Sequence, residues 1–237
     1  MLKEFVEKIL SLAEVKPILI GDLHYADRPL HVVTEPHLAG VSLLTLTGLV
    51  DLIQCHLDAL LADDWVLYVG NHAEVSLLHR STDAYGRRVR LASVKLDDGQ
   101  PFPFGRFVER EEFIIGLHSR FVSNVDHAMV VRLCSNLEAS KVAMAEDDGI
   151  SQRATIKQGV TLKETVTVKG RVGLRPYRTF REIEQPASEF IFRLRSKDGA
   201  VPDCALFEAD GGKWKLDAVL AIKTWLESKN LGMPVMA

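Results

Sequence analysis

From Leu46 to Leu61 the apolar side chains fall at Leu46, Leu49, Val50, Ile53, Leu57, Leu60 and Leu61, a single stripe at helical spacing. Such a helix has one face to hide and must cover something. The three runs that follow, Trp65–Gly70, Ala73–His79 and Arg87–Leu96, have strand character and are joined by turns at Asn71 and Tyr85–Gly86. They read as an antiparallel meander. Thr45 or Thr47 can cap the helix, and Asp63–Asp64 end it. The pairing of one amphipathic helix with one meander is what most narrows the choice of fold.

The rest of the chain repeats that grammar. Leu2, Phe5, Val6, Ile9, Leu10 and Ala13 predict an opening helix that Pro17 stops. Residues 18–34 read as two short strands around a polar turn at Tyr25–Pro29. Asp97–Gly105 is the strongest internal punctuation, and a third helix is expected over Glu109–Val122, with Glu109, Glu111 and Glu112 near its positive N-terminus. Ala128–Phe207 reads as short strands broken by polar turns. A last helix, from Lys213 to about Asn230, turns Ala218, Val219, Ile222, Trp225 and Leu226 inward. The expected class is α+β, with largely antiparallel sheets and about four flanking helices. The expected organisation is an N-terminal α+β half (1–100) and a β-rich half with the C-terminal helix (101–237), or one continuous domain.

Composition excludes several classes. With 237 residues the chain is long enough to bury its own core without metal or disulfide staples. Its 47% hydrophobic content and net charge of −3 argue against disorder and against a polyanion-binding surface spread over the whole chain. Cys55, Cys134 and Cys204 are odd in number and about seventy residues apart, which reads as free thiols in a reducing compartment. Charges at Lys3, Glu4, Glu7, Lys8 and Glu14 are foreign to a secretory leader, and no run is long and apolar enough to span a membrane. The expected location is the cytoplasm.

Two fragments suggest chemistry. Gly21-Asp22-Leu23-His24 and Gly70-Asn71-His72 resemble the first and third metal motifs of calcineurin-like metallophosphoesterases, where carboxylate, amide and imidazole groups hold two metal ions. The bridging GDxxD motif and the downstream GHxH have no match, and asparagine at a tight turn has a purely conformational explanation. No GxSxG, P-loop or GxGxxG occurs, and the eight histidines form no HxH, HxxxH or HExxH pair. No catalytic residue, metal or cofactor is expected.

The segment Lys163–Lys197 is more distinctive. It carries nine basic residues against four acidic ones, a local net of +5 in a chain of −3. Arg171, Arg175, Arg178 and Arg181 interleave with Tyr177 and Phe180, a combination that suits phosphates and stacked bases. The alternative is that these arginines pair with the interspersed glutamates. Pro176 denies a continuous helix, and residues three apart on extended chain face opposite ways. Arg178 is therefore expected to be structural, held by Glu184 or Asp210, while Arg171, Arg175, Arg181 and Tyr177 are the candidates for nucleic-acid or anion binding. Asp210 is expected to cap the last helix after the Gly211-Gly212 turn, with Trp214 anchoring it.

The runs Thr45–Asp51, Asp147–Gln152, Pro176–Phe180, Glu184–Pro186 and Leu206–Trp214 resemble, in the same order, an uncharacterised family of phage and prophage proteins, distantly related to the YfdQ-like prophage proteins. The resemblance covers most of the chain after residue 40. It implies a phage-encoded protein acting in a bacterial cytoplasm and assigns no catalytic residues. Together with the missing catalytic clusters and the many strand edges, it leads to the expectation of a non-enzymatic, self-associating accessory protein. The alternatives are a nucleic-acid or nucleotide binder in replication, recombination or counter-defence, and a metal-dependent phosphoesterase using Asp22, His24, Asn71 and His72.

Overall fold

A computed structural model of the chain describes residues 3–6, 8, 18–21, 23–26, 40–55, 62–82, 86–97, 99–137, 143–144, 152–158, 162–197 and 200–237. The chain divides into two compact units, residues 1–38 and 39–237. In the first, residues 3–6 are helical, and strands β1 (Ile18–Ile20) and β2 (Leu23–Tyr25) pair antiparallel. Ile20 faces Leu23, so this hairpin turns at Gly21, whose φ is +64°; residues 27–29 of the turn expected at Tyr25–Pro29 lie outside the described residues. A two-residue connection needs positive φ, which glycine supplies without steric cost.

The second unit opens with β3 (Val41–Leu43) and α1 (Leu46–Gln54), followed by a 3-10 turn at Ala62–Asp64. The expected meander comes next as β4 (Trp65–Asn71), β5 (Glu74–Thr82) and β6 (Arg88–Lys95). After α2 (Arg110–Arg120) and β7 (Phe121–Val122) comes α3 (Val125–Ser135). Strands β8 (Ala143–Met144), β9 (Gln152–Gln158), β10 (Leu162–Val168), β11 (Arg171–Pro176), β12 (Ser188–Lys197) and β13 (Ala200–Glu208) lead to α4 (Lys213–Glu227) and a last strand, β14 (Val235–Met236).

The class is α+β and the pairing mostly antiparallel. One sheet runs β14-β4-β5-β6-β3, with parallel pairing only at its two outer strands. A second runs β13-β12-β11-β7 and a third β10-β9-β8, both antiparallel. Thr45 caps α1, its hydroxyl accepting from the Gly48 N–H at 3.1 Å, and Leu46, Leu49 and Ile53 of the predicted stripe are buried. The stripe's remaining leucines, Leu57, Leu60 and Leu61, lie outside the described residues.

Two cores form inside this unit. Helices α1 and α4 cover one face of the five-stranded sheet, with Ile222 and Leu226 of α4 meeting Leu67, Val69 and Leu77. Helices α2 and α3 place Phe113, Leu117, Val130 and Cys134 against Phe190, Phe192 and Leu206 of the second sheet. The C-terminal helix thus packs on strands from the first hundred residues, and the boundary between compact units falls after residue 38.

Helix α3 corrects the strand reading of the chain after Ala128. Its β-branched run Val130-Val131 favours strand locally. Three anchors override it: Asn124 Oδ1 accepts from the His127 N–H at 2.7 Å, Asp126 Oδ2 accepts from the Gly173 N–H at 2.7 Å, and His127 Nε2 meets the Leu117 carbonyl at 3.1 Å. Among the described residues no helix is long and apolar enough to cross a membrane.

Candidate functional site

The connection from β11 to β12, residues 177–187, is irregular, and its fold follows from one buried amide. Gln185 Oε1 accepts from the backbone N–H groups of Arg178 and Thr179 at 3.1 and 3.3 Å, while its Nε2 donates to the Phe180 carbonyl at 2.9 Å. A buried glutamine satisfying its own loop replaces the ladder that the loop lacks. The Thr179 hydroxyl donates to the His72 carbonyl at 2.6 Å, tying the loop to the β4–β5 turn, and Phe180 and Ile183 insert into the α1/α4 core.

Arg178 sits at the centre. It donates to the Glu208 carboxylate and to the Ser188 hydroxyl, and its guanidinium lies 3.9 Å from the Trp214 ring centroid. Burial pushes its pKa down, with Glu208 and Asp210 pulling the other way. Beside it Asp210 loses some solvation, which favours its neutral form, but the Ser188 hydroxyl, the Gly212 N–H, Arg178 and the Trp214 N–H together hold its carboxyl below the usual carboxylate value. Asp210 Oδ1 accepts from the Gly212 N–H at 2.9 Å, and both Gly211 and Gly212 have positive φ.

Around this centre lies an open cleft of 260 Å³. Its walls come from six places in the chain: the β4–β5 turn (His72), the segment before α2 (Phe102, Phe104), the end of α2 (Arg120), the loop after β11 (Tyr177, Arg181), the end of β13 (Glu208) and the start of α4 (Trp214, Lys215). The Arg181 guanidinium lies over the Tyr177 ring, 3.8 Å from its centroid. Arg120 donates to the Pro101 carbonyl at 3.2 Å, and Lys215 Nζ stands 5.8 Å from the Trp214 ring. Among the described residues no carboxylate pairs with Arg120, Arg181 or Lys215. Glu208 is the acid in the wall and is taken by Arg178, with Asp210 behind it, so among the described residues the cleft presents three cations that no carboxylate pairs. Low-dielectric walls focus that field outward.

The predicted residues separate cleanly. Tyr177, Arg178, Arg181 and Trp214 meet in the cleft, with Asp210 behind them. Arg171 pairs with Glu189 at 3.2 Å and Arg175 with Glu184, and neither lines the cleft. The partner of Arg178 is Glu208, not Glu184; Asp210 acts on it at longer range. Asn71 Oδ1 accepts from the Ala73 N–H at 2.7 Å, the turn role the sequence allowed. Asp22 lies outside the described residues, and no group of three metal-ligating side chains gathers among those described. Sequence reasoning missed Arg120, Lys215 and Glu208, which come from distant elements, and singled out His72 only as a metal-ligand candidate. Only Lys215, next to Trp214 at a helix start, carried a local signal.

Comparison with protein-family models, curated proteins and solved structures yields no match for this chain.

Proposed function

We propose that this is a non-enzymatic accessory protein, phage-encoded on the strength of its sequence resemblance, that binds a nucleotide-type anion, free or within a strand, in the cleft around Arg178. The observation that carries the reading is the set Arg120, Arg181 and Lys215: three cations without carboxylate partners, converging from three elements on one concavity that also presents aromatic surface. Phosphate oxygens suit the cations, and a base can stack on the Arg181 guanidinium, which lies over the Tyr177 ring. The two carboxylates here, Glu208 and Asp210, are committed to Arg178 and to the turn, which supports binding over catalysis.

Titration calorimetry at low salt with single-stranded DNA, RNA and free nucleotides tests it. Binding by at least one, with the ligand recovered chemically unchanged, is expected. Failure of all three sinks the reading, and turnover of any of them sinks the non-enzymatic part.

Self-association is a second reading, favoured by Leu216 and Leu220, which stand 61% and 52% exposed one turn apart on α4. Sedimentation at micromolar concentration decides it, a clean 26 kDa monomer being the negative result.

A further inference from the structure

We infer that the ligand is a free nucleoside di- or triphosphate and not a nucleic-acid strand, a conclusion that rests on the cleft reading above and narrows it. The sequence shows a basic tract, and a strand would need that tract to continue past the cleft. Among the described residues it does not continue. Each cation of β11 and of the turn before it is paired in place: Lys169 with Asp126 at 3.4 Å, Arg171 with Glu189 at 3.2 Å and Arg175 with Glu184. The positive charge of this region is concentrated at one spot, on Arg120, Arg181 and Lys215.

A polymer gains affinity by laying successive phosphates along a basic groove and releasing counterions at each. A nucleoside polyphosphate instead carries about three negative charges within one residue's length, which matches three converging cations. The 260 Å³ of space agrees in size. It falls just short of the roughly 300–1,000 Å³ of enclosed ligand pockets, so one nucleotide fits with part of it in solvent. Arg178 is a positioning residue here. Its guanidinium is held by Glu208, Ser188 and Trp214, and it fixes the wall against which the phosphates sit without contributing net charge.

The full chain is titrated by calorimetry with the four nucleoside triphosphates, adenosine, inorganic triphosphate, and thymidine oligonucleotides of increasing length lacking terminal phosphates. At least one nucleoside triphosphate should bind more tightly than both adenosine and inorganic triphosphate, and the oligonucleotides should gain no affinity with length. Arg181→Ala and Lys215→Ala should each weaken that binding about tenfold, a typical loss for one charge-assisted contact. Arg175→Ala should leave it unchanged, and all three should melt like the parent. Oligonucleotide affinity rising with length overturns this inference and leaves the broader reading standing. Inorganic triphosphate binding as well as the nucleotides, or no probe binding at all, overturns both.

Discussion

Arg178 shows how much one side chain in this protein is asked to reconcile. Its charge is mostly out of solvent, with the side chain 12% exposed, and is kept there by a carboxylate, a hydroxyl and an indole face. Removing it strands Glu208 and leaves Trp214 uncovered. Arg178→Ala should cost about 2 kcal/mol, the value of charged hydrogen bonds lost from a partly buried site. For a chain of this size that lowers Tm by about 6 °C. Arg175→Ala removes only a surface pair with Glu184 and should stay within about 0.5 kcal/mol of the parent. Scanning calorimetry of the two variants checks the contrast, and equal melting of both would refute it. Asp210 adds a pH dependence. Its carboxyl titrates lower in the folded chain than in the unfolded one, so its contribution is fully present above the unfolded value near 3.9 and is lost as pH falls through the folded value. Asp210→Asn keeps the acceptor for Gly212 but loses the charge. Its Tm deficit should be full at pH 7 and shrink below about pH 4, as thermal melts across that range would show.

At the scale of elements, legibility followed whether the local pattern and the tertiary context agreed. Helix α1, the β4–β6 meander and α4 were readable because one apolar face per element met one sheet. Helix α3 was not, because its Val-rich run favours strand and its anchors, Gly173 and Leu117, lie on other elements. The cleft was half legible for the same reason. The Tyr177–Arg181 loop announces itself by composition, but Arg120 and Lys215 reach it only through the packing of α2 and α4. Helix α2 offers a sharp test of that packing. A Cβ on Gly116 would stand 2.8 Å from Phe102 Cε2, and Phe102 also lines the cleft. Gly116→Ala gains about 1 kcal/mol of helix propensity but forces a ring that already packs against Phe104, Phe113 and Phe121. Overpacking of this kind costs about 1–3 kcal/mol, so the net change should be destabilising. Denaturant titration giving a more stable Gly116→Ala variant would show that the ring has room to move.

At the scale of the 39–237 unit, the open question is whether its two cores unfold as one. The 177–187 loop belongs to both. Phe180 and Ile183 sit in the α1/α4 core, Thr179 is tied to the β4–β5 turn, and Arg178 lies within 5.6 Å of the Phe104 and Phe190 rings on the other side. A segment bonded to two cores and stiffened by its own buried glutamine transmits the loss of one to the other, since neither core can open without orphaning that segment's polar groups. The chain carries a separate reporter in each core. Trp65 and Trp225 pack against the α1/α4 core, and with Trp214 replaced by Phe they are the only fluorescent indoles. Cys134 and Cys204 are wholly buried in the other, sulfur to sulfur at 3.8 Å, and burial pushes the Cys134 thiol well up, so its thiolate is scarce while the fold is intact. Cys55 is exposed. An aromatic disulfide reagent should therefore label one thiol of three in the native protein. The other two should appear over the same denaturant range as the change in tryptophan fluorescence. If the buried thiols react at clearly lower denaturant than the tryptophans report, the α2/α3 core opens alone, and the loop is a tether between two independent folding units.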